Sequence, residues 1–202
     1  MIYLITKGET TSANFVDSKR QIIDIIKVAV ESEISRIQIR EKLLPAKQLF
    51  ELTTEAVKIT KNSATKLLVN DRADVAFAAN ADGVHLTSTS IPTEIIRQNY
   101  PQKFIIGVST HTLAKAQNAQ ENGADFITFS PIFSKTEKGI DELRKVYETL
   151  KPFPVIALGG IDETNYREVC KVASGFAAIR FLNNADNLRK LKYEGLFDDC
   201  GR

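Results

Sequence analysis

Residues 66–92 read KLLVNDRADVAFAANADGVHLTSTSIP. KLLVN (66–70) is a short apolar run with the length and composition of a buried strand, and GVHL (83–86) is a second. Between them NDRAD opens a helix: Asp71 stands where an N-cap belongs, and Asp74, three residues on, takes the place of a capping-box acid. The two strand ends differ in charge. Asn70 and Asp71 follow the first run, whereas the hydroxyls of Thr87, Ser88, Thr89 and Ser90 follow the second, with no acid among them.

The same alternation extends along the whole chain. Six further apolar runs are IYLIT (2–6), ISRIQIR (34–40), FIIGVS (104–109), FITFS (126–130), PVIALG (154–159) and GFAAIRFL (175–182), which makes eight. Between them the apolar residues fall at helical spacing, as in the stripe Ile22, Ile25, Ile26, Ala29, Val30 and again in Leu49, Leu52, Ala56, Ile59. Gly123 marks a helix stop, Asp162 an N-cap, and Asp186 to Tyr193 a last short helix. Eight strands alternating with helices predict an α/β protein of the (β/α)8 TIM-barrel type, one domain over residues 1–202. A doubly wound open sheet is the competing arrangement, but it does not require the count to reach eight.

Composition narrows the function. With 27 Lys+Arg against 25 Asp+Glu, the net charge of +2 is too small and too dispersed to predict nucleic acid or membrane as a partner. A phosphorylated small molecule needs only a local group of cations. Cys170 and Cys200 lie far apart and in no metal-ligand spacing, so they read as free thiols of a reducing compartment. No leader pattern opens the chain and no apolar stretch nears the roughly 20 residues of a membrane span. A cytoplasmic protein is expected.

In a barrel of this type the active site lies where strands end. Those ends here carry Thr6 and Lys7; Gln38, Arg40 and Lys42; Asn70 and Asp71; Thr87 to Ser90; Ser109 to His111; Ser130 to Lys138; Gly159 and Gly160; and Arg180. Gln38, Arg40 and Lys42 are spaced two apart, so along a strand they share the face opposite Ile37 and Ile39, and together they suit phosphate or carboxylate oxygens. The competing reading pairs them with Glu41 and solvent. Asn70 and Asp71 could hold Mg2+ with a diphosphate, or simply begin a helix. His111 stands beside hydroxyls where it could exchange protons near neutral pH, whereas His85 reads as structural. Lys135, Thr136 and Lys138 have the composition of a lid over an anion, and Gly159 with Gly160 that of a backbone anion nest.

Taken in order, QIREK, VNDRADVAFAANADGVHL, IGVSTHT, ADFITFSPIF and VIALGGI resemble the thiamine phosphate synthase superfamily, which also contains the thiazole tautomerases; the resemblance runs from about Ile34 to Leu182. It implies an enzyme of thiamine biosynthesis. In the synthases an aminopyrimidine methyl diphosphate is joined to a thiazole phosphate. On the matching positions Gln38, Arg40, Lys42, Asn70 and Asp71 would hold the diphosphate and Mg2+, Ser109 would approach the reacting groups, Lys138 would contact phosphate, and Gly159 and Gly160 would receive the thiazole phosphate.

Three departures bear on which activity the resemblance implies. Synthases normally read Gly-Gln-x-Asp after GVHL, the Asp being a second Mg2+ ligand, where this chain has Thr87, Ser88, Thr89 and Ser90. The tautomerase branch lacks that acid, needs no cofactor, and uses a His at the place of His111. Arg180 replaces a common Ser of the phosphate site, and the segment after Lys138 is short. The hydroxyls and His111 together favour a tautomerase, narrowly. A synthase with Asp71 as its metal ligand is the alternative, and a non-catalytic barrel that binds thiazole phosphate is a third expectation. A homodimer is also expected for so small a barrel, with no stripe that names the interface.

Overall fold

The computed structural model describes residues 1–133 and 139–193. Eight strands, β1 (Ile2–Ile5), β2 (Arg36–Ile39), β3 (Lys66–Asn70), β4 (Gly83–Leu86), β5 (Ile105–Thr110), β6 (Phe126–Phe129), β7 (Val155–Leu158) and β8 (Gly175–Ala178), pair in parallel and in sequence order, and β8 closes on β1. They alternate with α1 (Phe15–Glu31), α2 (Ala46–Thr60), α3 (Ala73–Ala78), α4 (Thr93–Asn99), α5 (Leu113–Glu121), α6 (Gly139–Leu150), α7 (Tyr166–Cys170) and α8 (Ala185–Tyr193). This is the expected (β/α)8 barrel, and the open doubly wound sheet is excluded by closure.

Alternation along the strands separates two apolar regions. Ile37 and Ile39, Leu67 and Val69, and Val84 and Leu86 face the helices in one large core. Tyr3, Ile5, Leu68, Phe126, Ile156 and Ala177 fill the barrel itself. The Tyr3 and Phe126 rings meet edge to face at 5.6 Å, which leaves no pore. Phe15, Ile22, Ile23, Ile26 and Ala29 are the buried face of α1. Ile25 and Val30 of the expected stripe are only half buried.

Local signals fail at two helix starts. Asp71 does not cap α3: its φ of 61° lies in the left-handed region and Arg72 occupies the N-cap position. Asp74 instead pairs with Arg72 at 2.6 Å, which holds its carboxyl below the usual range. Asp162 accepts from Thr164 N at 2.9 Å in a turn, and α7 begins four residues later with Asn165 at its N-cap. The eighth run, expected to 182, ends as strand at Ala178. Cys170 is disulfide-bonded, contrary to the free thiol expected, while Cys200 lies outside the described residues. Among the described residues no helix is long and apolar enough to cross a membrane.

Candidate functional site

Gln38, on β2, is buried and donates from Nε2 to Asn70 Oδ1 at 3.0 Å. Asn70 in turn donates from Nδ2 to Asp71 Oδ2 at 2.8 Å. A carboxylate only accepts, so Asp71 sets the orientation of the Asn70 amide and, through it, that of Gln38. One atom is then left over. Gln38 Oε1 is buried and has no partner, a condition that costs roughly 1–3 kcal/mol unless a ligand or water satisfies it.

Asp71 is also reached from the hydroxyl row after β4. Thr87 Oγ1 donates to Asp71 Oδ1 at 3.1 Å, and Ser90 Oγ donates to the same oxygen. Ser90 Oγ accepts from Thr87 N at 2.6 Å, which ties the turn to the carboxylate. Thr87 and Ser90 thus contact the acid that, from the sequence, stood apart from them.

The Gln38-Arg40-Lys42 alternation holds for its first two members only. Strand β2 ends at Ile39, Arg40 remains half buried, and Lys42 lies in the following turn, exposed, on a cavity of about 210 Å3 that it shares with Asn70, Asp71 and Arg72. Glu41 pairs with neither cation. Its buried carboxylate accepts from Thr6 Oγ1 at 2.6 Å, Gly8 N at 3.1 Å and Thr10 N at 2.9 Å, fastening the loop after β1. Among the described residues no carboxylate pairs with Arg40, Lys42 or Arg180. Unpaired cations at one rim favour an anionic ligand.

Inside the barrel His85 lies between Tyr3 Oη (3.2 Å from Nδ1) and Ser109 Oγ (2.9 Å from Nε2), with Thr128 Oγ1 3.4 Å from Ser109 Oγ. Burial pushes His85 down to about 4, against a smaller upward pull from Asp71, and the imidazole is neutral at pH 7. Ser109, expected beside the reacting groups, is held by this chain. His111 is exposed, its Nδ1 2.8 Å from the Ser130 carbonyl oxygen. The carbonyl only accepts, so Nδ1 carries the hydrogen and Nε2 is the basic nitrogen.

Gly159 and Gly160, at φ 106° and 70°, line a cavity of about 700 Å3 with Arg180. A Cβ on Gly160 would stand 1.7 Å from Phe133 O, so only glycine fits there. Lys138, with Lys135 and Thr136, lies outside the described residues.

These residues do not make a resident Mg2+ site. Among the described residues no group of three His, Cys, Asp or Glu side chains could hold a metal ion, and the rim carboxylates of Glu41 and Asp71 each already accept three hydrogen bonds. Two contacts are not legible in the sequence, Thr6 with Glu41 and Thr87 with Asp71. The contact between Thr6 and Glu41 spans 35 positions, and no local spacing announces it.

Fold and rim together define an α/β-barrel protein with unpaired cations and one orphaned acceptor at the C-terminal ends of its strands. A family model described as thiamine monophosphate synthase matches residues 2–182. The thiamine-phosphate synthase of Caldicellulosiruptor bescii is 37% identical over 188 residues, covering 88% of this chain and 84% of that protein. That of Pyrococcus furiosus is 34% identical, covering 85% and 86%. A solved thiamine phosphate pyrophosphorylase from Pyrococcus furiosus superposes with a TM-score of 0.80 at 30% identity, over 96% of each chain. The chain belongs to the thiamine monophosphate synthase family and is an enzyme of that superfamily. The relatives named are synthases, so the comparisons favour the alternative over the narrowly preferred tautomerase.

Proposed function

We propose that the chain is a thiamine phosphate synthase, joining an aminopyrimidine methyl diphosphate to a thiazole phosphate with release of pyrophosphate. The observation that carries this reading is the orphaned Gln38 Oε1. An acceptor held in that orientation by Asn70 and Asp71 calls for a hydrogen-bond donor, and an aminopyrimidine brings one on its amino group. A thiazole carboxylate phosphate is an assembly of acceptors. The synthase relatives support the same choice.

In this reading the diphosphate leaves and the thiazole nitrogen captures the resulting pyrimidine methylene cation. The chemistry asks for stabilisation of charge on the leaving group more than for a base. Arg40 and Lys42 supply that charge at the rim, Lys42 on the cavity that it shares with Asn70. With Tyr3 donating to His85 Nδ1, Nε2–H donates to Ser109 Oγ, which also accepts from Thr128, so the Ser109 hydrogen remains for the ligand. Gly159, Gly160 and Arg180 receive the thiazole phosphate in the larger cavity, where Arg180 binds by charge. No step is assigned to a protein-held metal.

One observation favours tautomerisation as a second reading: the basic Nε2 of His111, oriented by the Ser130 carbonyl. The two are separated by incubating the purified protein with pyrimidine diphosphate and thiazole phosphate. Thiamine phosphate is the expected product. If intact substrates give none, and a thiazole carboxylate phosphate is aromatised by the wild type but not by His111→Ala, the synthase reading is lost.

A further inference from the structure

We infer that the divalent cation of the reaction enters the site as part of a metal–diphosphate complex and is not resident on the protein. This rests on the diphosphate reading above and follows from how Asp71 is used. Its carboxylate offers about four lone-pair positions. Thr87 and Ser90 hydroxyls take two on Oδ1, and the Asn70 amide takes one on Oδ2. Ser90 is committed to that role, since its oxygen already accepts from Thr87 N.

What remains on Asp71 is one acceptor position. Mg2+ requires near-octahedral oxygen coordination and dehydrates reluctantly, so a lone, hydrogen-bonded carboxylate beside neutral hydroxyls holds it poorly. The buried Glu41 carboxylate is engaged to the same extent, accepting from Thr6, Gly8 and Thr10. Lys42, which lines a cavity with Asp71, and Arg40 at the same rim have no carboxylate partner among the described residues, and both repel a bare cation. They attract a diphosphate, and its complex with a divalent cation still carries net negative charge. A cation carried this way would draw most of its ligands from phosphate oxygens and water, and the free position on Asp71 would be the protein's contribution. The apparent metal requirement then follows the diphosphate concentration.

Paramagnetic broadening of backbone amide signals by Mn2+ tests this without turnover. With Mn2+ alone, the amides of Asp71 and Thr87 in the wild-type protein are expected to keep their intensity; with Mn2+ and inorganic pyrophosphate together they are expected to vanish. Ser90→Asp is expected to lose the same signals with Mn2+ alone, because it adds the missing charge. Site-specific loss in the wild type with Mn2+ alone would overturn the inference and leave the synthase reading intact. No loss with both probes present would overturn the inference and the diphosphate site together. The wild-type arms decide the matter even if Ser90→Asp does not fold.

Discussion

Tyr3, His85, Ser109 and Thr128 meet inside the barrel, while Gln38, Asn70, Asp71, Thr87 and Ser90 meet at its rim, and the strands carrying them are neighbours: Asn70 stands opposite His85 in the β3–β4 register. Both clusters are built from hydroxyls and amide or imidazole nitrogens. The inner one is neutral, with both His85 nitrogens partnered and the Tyr3 and Phe126 rings packed around them. The outer one has a carboxylate at its centre and an acceptor without a donor. A closed neutral cluster specifies a fold, and an open charged one awaits a ligand. The difference separates scaffold from site more clearly than residue type does, because serine stands in both clusters, Ser109 in the inner and Ser90 in the outer.

The sharpest way to break this contrast is to remove the centre of the outer cluster. Asp71→Ala deletes the acceptor that orients Asn70 and Gln38 and the anchor of Thr87 and Ser90. A fall in kcat/KM for thiamine phosphate formation of about a hundredfold or more is expected, with little change in the urea midpoint because the site is at the rim. Retained activity would mean that the outer cluster is only a loop fastening.

The inner cluster predicts the opposite signature, in stability. Because His85 in the folded protein sits near 4, below its ordinary 6.5, the unfolded chain binds more protons between those values. The stability associated with neutral His85 is complete above about pH 6.5 and is lost as pH falls towards 4, by on the order of 3 kcal/mol at about 1.4 kcal/mol per pH unit. Denaturant unfolding across that window compares the wild type with His85→Gln, which is expected to lack this slope. Identical slopes would show that another group titrates.

Much of this arrangement could be read from the sequence. All eight runs became strands, to within a few residues at their ends, because an apolar run bounded by polar residues reflects burial that the barrel imposes everywhere. The rim residues Gln38, Arg40, Asn70, Asp71, Ser109 and His111 fall where strands end for the same reason. Partnership was not legible. Glu41 looks like a partner for Arg40 or Lys42, yet it turns to backbone amides more than 30 positions away. The hydroxyls of Thr87 and Ser90 looked like a missing acid, whereas they bind the acid that is present. Lys42 fell out of register because the strand stops before it. Each depends on where separate loops come together, which spacing along one segment does not encode.

Packing around the inner cluster gives a smaller effect. A Cβ at Gly107 would lie 2.3 Å from Phe126 Cζ and 2.7 Å from His85 Nδ1. Gly107→Ala is therefore expected to destabilise the fold by roughly 1–3 kcal/mol, the usual cost of overpacking, as measured by urea unfolding. A neutral result would mean that the ring stack is looser than its distances imply.

The smallest expected effect concerns the second histidine. His111 resembles His85 only in type: it is exposed, and its described contacts, the Ser130 carbonyl and hydroxyl oxygens, both fall on Nδ1, which leaves Nε2 without a described partner. Capture of a carbocation by the thiazole nitrogen uses no protein base, so His111→Gln should change kcat/KM for thiamine phosphate formation by less than about tenfold, whereas loss of a working general base costs about 10²–10⁴. A loss in that range would move catalysis from charge stabilisation around Arg40 and Lys42 to proton transfer at His111, and the rim cluster would then be a binding device serving a reaction on the opposite strand ends.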